Sequence, residues 1–233
     1  MNKPLPQNYE INEDSEIRRL TLHEEIVNRL REMIFQGDLM EGNRVPERDL
    51  CLKFSISRTP LREALKVLAN EGLITLQPNR GAWVTRLTAA DVDELFPIMG
   101  SLEALSGELA CKNANDSDIA EVKALHYRMA MHFTRCDRPS YFKVNRNIHE
   151  KIMEIAANPA LLQVYRSLSE RIRRARYLAN ISANRWDASM KEHELILAAL
   201  ELRNGALLAD LLKTHLLNKL ESVKKVIVDP TCS

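Results

Sequence analysis

Two sets of residues in this chain have types and spacings that could do chemistry. In the C-terminal half, Asn145 and His149 lie one helical turn apart and so share a face, with Ile148, Ile152 and Ile155 close alongside. His193 precedes Ile196 and Leu200, and His215 follows Leu208 and Leu211, so each stands on or beside an apolar stripe of its own helix. Three such imidazoles can meet inside a bundle, and imidazole is the commonest protein ligand of zinc and similar divalent ions. Their spacing is no metal-binding motif, so core histidines satisfied by hydrogen bonds are the competing reading. A hydrolytic metal site would also want a general acid or base. No HExxH, paired carboxylate or activated nucleophile accompanies these histidines in the sequence, so we expect no enzyme, with a metal-dependent hydrolase or a purely structural metal as the alternatives.

The second set is Ser57-Arg58-Thr59-Pro60-Leu61-Arg62. A helix that reads the major groove needs cations and small hydroxyl residues in its first turns and an apolar opposite side. Arg58 and Arg62 are four apart on one face with Thr59 beside them, while Leu61, Leu65 and Leu68 face away. The arginine fork can take guanine O6 and N7 or a phosphate. Arg48, in the first turn of the preceding helix, and Arg80-Gly81, at a hairpin tip, would flank that face, and Gly81 would let the backbone approach a sugar or phosphate. Singly, each of these arginines reads as a solvated surface residue. Their joint placement on one small unit points to DNA.

The elements that must position these residues can be read along the chain. With 233 residues, 45% of them hydrophobic, two globular units are expected. Few Gly and Pro and only 5% aromatic residues favour helices. A capping box at Thr21-Leu22-His23-Glu24 opens a first helix, which carries Leu22, Ile26, Leu30 and Ile34 until Gly37 stops it. Residues 47–54 form a second. A third is capped by Ser57, tolerates Pro60 in its first turn and ends at Gly72. The β-prone runs 73–77 and 82–85 flank Pro78-Asn79-Arg80-Gly81 as a hairpin, which makes residues 18–86 a winged helix-turn-helix. Residues 87–228 are helical between breaks at 113–117, 137–139, 158–159, 180–184 and 204–205. About six helices in an antiparallel bundle follow. Residues 1–17 and 229–233 read as tails.

Bulk properties add less. Lys plus Arg, 33, nearly cancels Asp plus Glu, 32, although the N-terminal unit holds a modest excess of cations, most of them Arg. Cysteines 51, 111, 136 and 232 form no CxxC pair, which suits reduced cytosolic thiols. No secretory leader pattern and no stretch of ~20 apolar residues occurs, so a soluble cytoplasmic protein without membrane contact is expected.

The stretch Gly37-Asp38-Leu39, Glu47-Arg48-Asp49-Leu50, Ser57 to Leu65, Glu71-Gly72-Leu73-Ile74 and Pro78 to Val84 closely resembles the winged-helix domain of the GntR family of bacterial transcription regulators. The resemblance covers about seventy residues. It puts Arg48, Arg58, Thr59, Arg62 and Gly81 at the family's DNA-contact positions, with Ser57 as cap and phosphate donor. Leu102-Glu103, Asn145 to His149, Asn158-Pro159, Glu192-His193 and Thr214-His215-Leu216 are similar to FCD, the all-helical ligand-binding domain of the FadR branch. There, a carboxylate or amide followed four residues later by His, with two further His, holds a divalent metal that helps bind a small organic acid. Asn145, His149, His193 and His215 match these positions, with zinc or nickel expected.

Two departures stand out against that pattern. Many relatives have Asp at the position of Asn145, and those that bind carboxylates often have Arg where this chain has Met99. The run Arg171, Arg173, Arg174 and Arg176 could replace that anchor, although a charge run on a helix usually faces solvent. His126 and His132 match no ligand position and read as structural. The resemblance implies an effector-controlled regulator, a repressor by family default. One recognition helix reads too few base pairs for genomic specificity, so a homodimer on a palindromic operator is expected.

Overall fold

The computed structural model describes residues 21–179 and 183–228; the side chain of Arg174 and both expected tails lie outside the described residues. Helix α1 (Leu22–Gln36) begins with the reciprocal Thr21–Glu24 capping box and ends at Gly37 in the left-handed conformation. Helices α2 (Glu47–Phe54) and α3 (Arg58–Asn70) follow, then β1 (Ile74–Gln77) and β2 (Gly81–Val84). Ile26, Leu30, Ile34, Leu50, Leu61, Leu65 and Leu68 close over Ile74, Ala82 and Val84 in one core, whereas Leu22, on the same stripe in the sequence, is 59% exposed at the first position of α1.

β1 and β2 pair antiparallel with Ile74 opposite Val84 and Gln77 opposite Gly81. The hairpin is one residue tighter at its base than the β-prone runs suggest. Gly72, at φ +75°, turns the chain, and the Leu73 N–H is spent on the Leu68 carbonyl at 2.9 Å. A feature absent from the sequence reading is the segment before α2, which lies along β2. Val45 N–H donates to the Ala82 carbonyl at 2.8 Å and Arg44 bridges to Trp83, so the wing gains a third edge.

The helical unit comprises α4 (Ala89–Asn113), α5 (Asp116–Thr134), α6 (Arg138–Ile155), α7 (Pro159–Ala179), α8 (Ala183–Glu201) and α9 (Gly205–Val228). Thr88 with Asp91 and Asn115 with Asp118 make further capping boxes. α4 packs lengthwise on α9, and two glycines explain how closely. A Cβ at Gly107 would stand 2.9 Å from Leu212 Cδ1 and 3.0 Å from Leu208 Cγ, while one at Gly100 would stand 3.4 Å from Lys213. A helix-interior glycine costs ~1 kcal/mol against alanine, which the close packing offsets. Gly100, Glu103 and Gly107 share one face, so the approach that needs the glycines also presses Glu103 into the bundle. No described helix is long and apolar enough to cross a membrane.

Candidate functional site

The first site is the outer face of α2, α3 and the wing. An open groove of about 790 Å³ is lined by Arg44, Arg48, Arg58, Arg62, Lys66 and Gly81, among others. Arg48, Arg58, Thr59 and Arg80 are exposed, and among the described residues none of these arginines has an ion-pair partner. Arg62 differs, since its Nε donates to Glu47 Oε2 at 3.1 Å and ties α3 to α2. Ser57 occupies the N-cap position with extended backbone, yet makes no capping hydrogen bond, contrary to expectation. The reason is local, because the N3 residue is Pro60, which has no N–H to give. Its hydroxyl is therefore left for another acceptor or donor. Gly81, at φ +88°, packs under Arg44, whose Nε would be 3.2 Å from an added Cβ. Arg44 thus joins the face that sequence reading assigned to Arg48 and Arg80 without it.

The second site is buried. His149 on α6, His193 on α8 and His215 on α9 meet with ring centroids 5.2, 5.3 and 4.6 Å apart. One nitrogen from each lies within 4.8 Å of the others. All three rings are at most 2% exposed. Burial, followed by neighbouring positive charge, pushes His193 and His215 well below the ordinary histidine value. Burial also lowers His149, against the pull of Glu103. Such imidazoles are neutral and ready to ligate.

Each of two rings is oriented by a carboxylate. His215 Nδ1 donates to Glu192 Oε2 at 2.6 Å, and Glu192 is itself held by Arg185 and by Asn218 Nδ2 at 2.8 Å. His149 Nδ1 lies 3.3 Å from Glu103 Oε2, an ion-pair distance without hydrogen-bond alignment. Those partners leave the Nε2 atoms of His149 and His215 unpaired and pointing the metal-binding edge of each ring at the cluster. Asn145, 1% exposed, sets its amide against His193 Nε2. Turning that amide over presents Oδ1 at the same point, so the donor set of three imidazoles and one amide oxygen fits a divalent metal.

Sequence reasoning missed the charges around the cluster. Arg176, offered by the sequence either as a carboxylate anchor or as part of a solvated run, is 6% exposed and its Nη1 pairs with Glu103 Oε1 at 3.0 Å. Burial would raise the Glu103 carboxyl, but Arg176 and then His149 overcome it and hold the group at about 2. Lys219, one turn after His215, is fully buried and its Nζ has no hydrogen-bond partner. Burial and then the Arg176 charge press its amine well below the ordinary lysine value. Met99 lies in the core beside Phe96 and Leu216, and positive charge enters this region from α7 and α9 instead. His126 is buried on α5, and His132 pairs with Asp137 at 3.2 Å.

Residues 22–84 match the family described as bacterial regulatory proteins, gntR family, and residues 94–218 match the FCD domain. The chain belongs to the GntR family of bacterial transcription regulators, in the branch that carries an FCD domain. Among its relatives is the transcriptional regulator YdhC of Bacillus subtilis, 28% identical over 86% of this chain and 90% of that protein. The transcriptional repressor RspR of Escherichia coli is 24% identical over 88% and 90%. The solved structure of E. coli McbR/YncC superposes with a TM-score of 0.78 at 23% identity, covering 89% of this chain and 99% of that one, which establishes the shared fold. The expected fold class, a winged helix-turn-helix followed by a helical bundle, is the one found.

Proposed function

We propose that this GntR-family regulator is a cytoplasmic repressor that binds DNA as a homodimer through residues 18–86 and senses a small organic acid through residues 87–228. Arg48, Ser57, Arg58, Thr59, Arg62, Arg80 and Gly81 are its DNA-contact residues, and Arg44 belongs with them. Two copies related by a twofold axis present two recognition helices to a palindromic operator. The observation that carries this reading is the convergence of the exposed Arg44, Arg48, Arg58 and Arg62, from α2, α3 and the segment before α2, on one groove that Gly81 of the wing also lines. The relative RspR, a repressor by name, supports the direction of control.

Asn145, His149, His193 and His215 would hold a divalent metal such as zinc or nickel, which supplies a Lewis-acidic anchor for a carboxylate when bound. The protein's own residues do the rest. Glu103 and Glu192 fix the imidazole orientations, and Arg176 keeps Glu103 ionised. A cavity of about 20 Å³ adjoins the cluster, walled by Phe142, Asn145, Arg146, Tyr165, Arg173 and Arg176. Glu150 and Glu170 also line it and pair with the Arg146 and Arg173 guanidiniums at 3.5 Å, yet neither Nε makes a hydrogen bond, which leaves each a donor for an anion. Both carboxylates beside the cluster are committed to imidazoles and cations, which favours sensing over hydrolysis.

The test is the pair of substitutions Arg58→Ala and Arg62→Ala, assayed on a duplex that the wild-type protein selects from a random pool. Each bidentate base contact is worth ~1–3 kcal/mol, so affinity should fall by about two orders of magnitude or more. The unfolding temperature should move little, because both side chains are exposed and a surface pair such as Arg62–Glu47 is worth at most ~1 kcal/mol. Retained specific binding would refute the assigned face.

A further inference from the structure

Helix α7 touches both halves of the molecule, and three of its arginines do three different things. Arg171 packs on Gly72 at the end of the recognition helix, where an added Cβ would meet its Cδ at 2.8 Å, and pairs with Asp91 at 3.7 Å. Arg176 is buried on Glu103. Arg173 lies between these two and faces α1 of the DNA-binding unit. Its Nη2 donates to Glu32 Oε1 at 2.7 Å, and its guanidinium sits 4.2 Å above the Phe35 ring. Phe35 in turn stacks on Phe142 of α6, with centroids 5.6 Å apart and planes 14° from parallel.

Arg173 and Phe142 are also walls of the small cavity beside the histidine cluster. The same two side chains therefore close the cavity from one side and fasten α1 from the other. At about 20 Å³ the cavity holds little more than one water, so an organic acid can enter only by moving its walls. Glu170 on the cavity wall meets Arg173 Nη1 at 3.5 Å, but the buried Nε has no hydrogen-bond partner, hence a donor that neither Glu32 nor Glu170 uses. A carboxylate placed against that atom is better desolvated than Glu32, whose side chain is 49% exposed.

We propose that Arg173 is the shared contact of the two units: a carboxylate entering the cavity takes its guanidinium in competition with Glu32 and thereby releases α1 from α6 and α7. This rests on the reading of the cavity as the effector site. A ligand shifts a conformational equilibrium only through differential contacts, and here the differential contact is the Nε–Nη2 edge of Arg173, since a carboxylate forked across that edge needs the Nη2 donor that Glu32 holds. Operator DNA that favours the fastened α1 must weaken carboxylate binding by the same factor by which the carboxylate weakens operator binding.

Calorimetry of the zinc-loaded protein with acetate, malonate, succinate and citrate, repeated for Glu32→Gln and Arg173→Ala, tests this. For the carboxylate that binds wild type most tightly, Glu32→Gln should bind roughly two- to fivefold more tightly, the span an exposed ion pair supports. Arg173→Ala should bind about tenfold more weakly, and in neither variant should that carboxylate alter affinity for the selected operator as it does in wild type. In wild type the same carboxylate should speed hydrogen exchange of the α1 amides. Unchanged affinity in Glu32→Gln overturns the competition while leaving the effector reading intact. Absence of binding by all four to wild type overturns both. Glu32 is half exposed, so the decisive variant does not threaten the fold.

Discussion

The two functional regions of this regulator handle charge in opposite ways. On the outer face of the winged helix, Arg48 and Arg58 on the groove and Arg80 at the hairpin stand in solvent without ion-pair partners among the described residues. In the bundle, Arg176 is 6% exposed and pairs at 3.0 Å with Glu103, itself 1% exposed. A solvated cation contributes little to folding and keeps its interaction energy for a polyanion, which also returns counterions to solution. A buried cation has already lost its water and must be matched within the fold, so its partners form part of the structure. The groove can therefore be rewritten without unfolding the protein, and the bundle centre cannot.

The sharpest test of that contrast sets Arg176→Ala beside the groove variants. Removing Arg176 leaves the Glu103 carboxylate buried with its strongest partner gone, a loss of ~3–5 kcal/mol in similar buried pairs. Chemical denaturation should show a fall of that order, whereas Arg58→Ala should leave the midpoint unchanged. A small effect of Arg176→Ala on stability would mean that Lys219 and His149 suffice to hold Glu103, and the contrast between the two regions would lose its basis.

A smaller effect is expected at the outer layer of the proposed metal site. Glu192→Gln keeps the shape of the acceptor to His215 Nδ1 but removes its charge, and such partners typically change metal affinity 10–100-fold. Competition with a chelator, alongside elemental analysis of the wild type, would measure the loss. Operator affinity of the metal-free proteins should be equal, since Glu192 lies in the bundle and the groove is formed by α2, α3 and the wing. A protein purified without any metal would instead favour histidines that only fill the core.

How much of each region was legible follows from where its information lies. The groove is local: capping box, leucine spacing and turn chemistry within about seventy residues place α1, α3 and the wing, and the exposed arginines follow from them. Ser57 is the exception, because the missing Pro60 N–H cancels its cap. The three histidines were also legible, each from its own helix's apolar stripe. The burial of Glu103, Arg176 and Lys219, and the pairing of the first two, were not, because each is buried by helices distant in sequence. A charged residue read alone defaults to solvent. Signals did exist, since Glu103 lies between two glycines on one helix face and Lys219 follows His215 by one turn.

The smallest predicted effect separates positioning from reading within the groove itself. Arg48 opens α2, away from the first turns of α3 that the proposed reading places in a groove of DNA, so a phosphate contact is the role proposed for it. Arg48→Ala should weaken binding about equally on the selected operator and on unrelated duplexes. The slope of log affinity against log salt concentration should fall by about one, the share of a single phosphate. Arg58→Ala should instead relax base preference at one position of each half-site, visible by repeating the selection with the variant. If Arg48→Ala changed the selected sequence and Arg58→Ala only the salt slope, the reading helix would have to be reassigned from α3 to α2. Because both side chains are exposed and unpaired, either outcome would come from the nucleic acid interface and not from an altered fold.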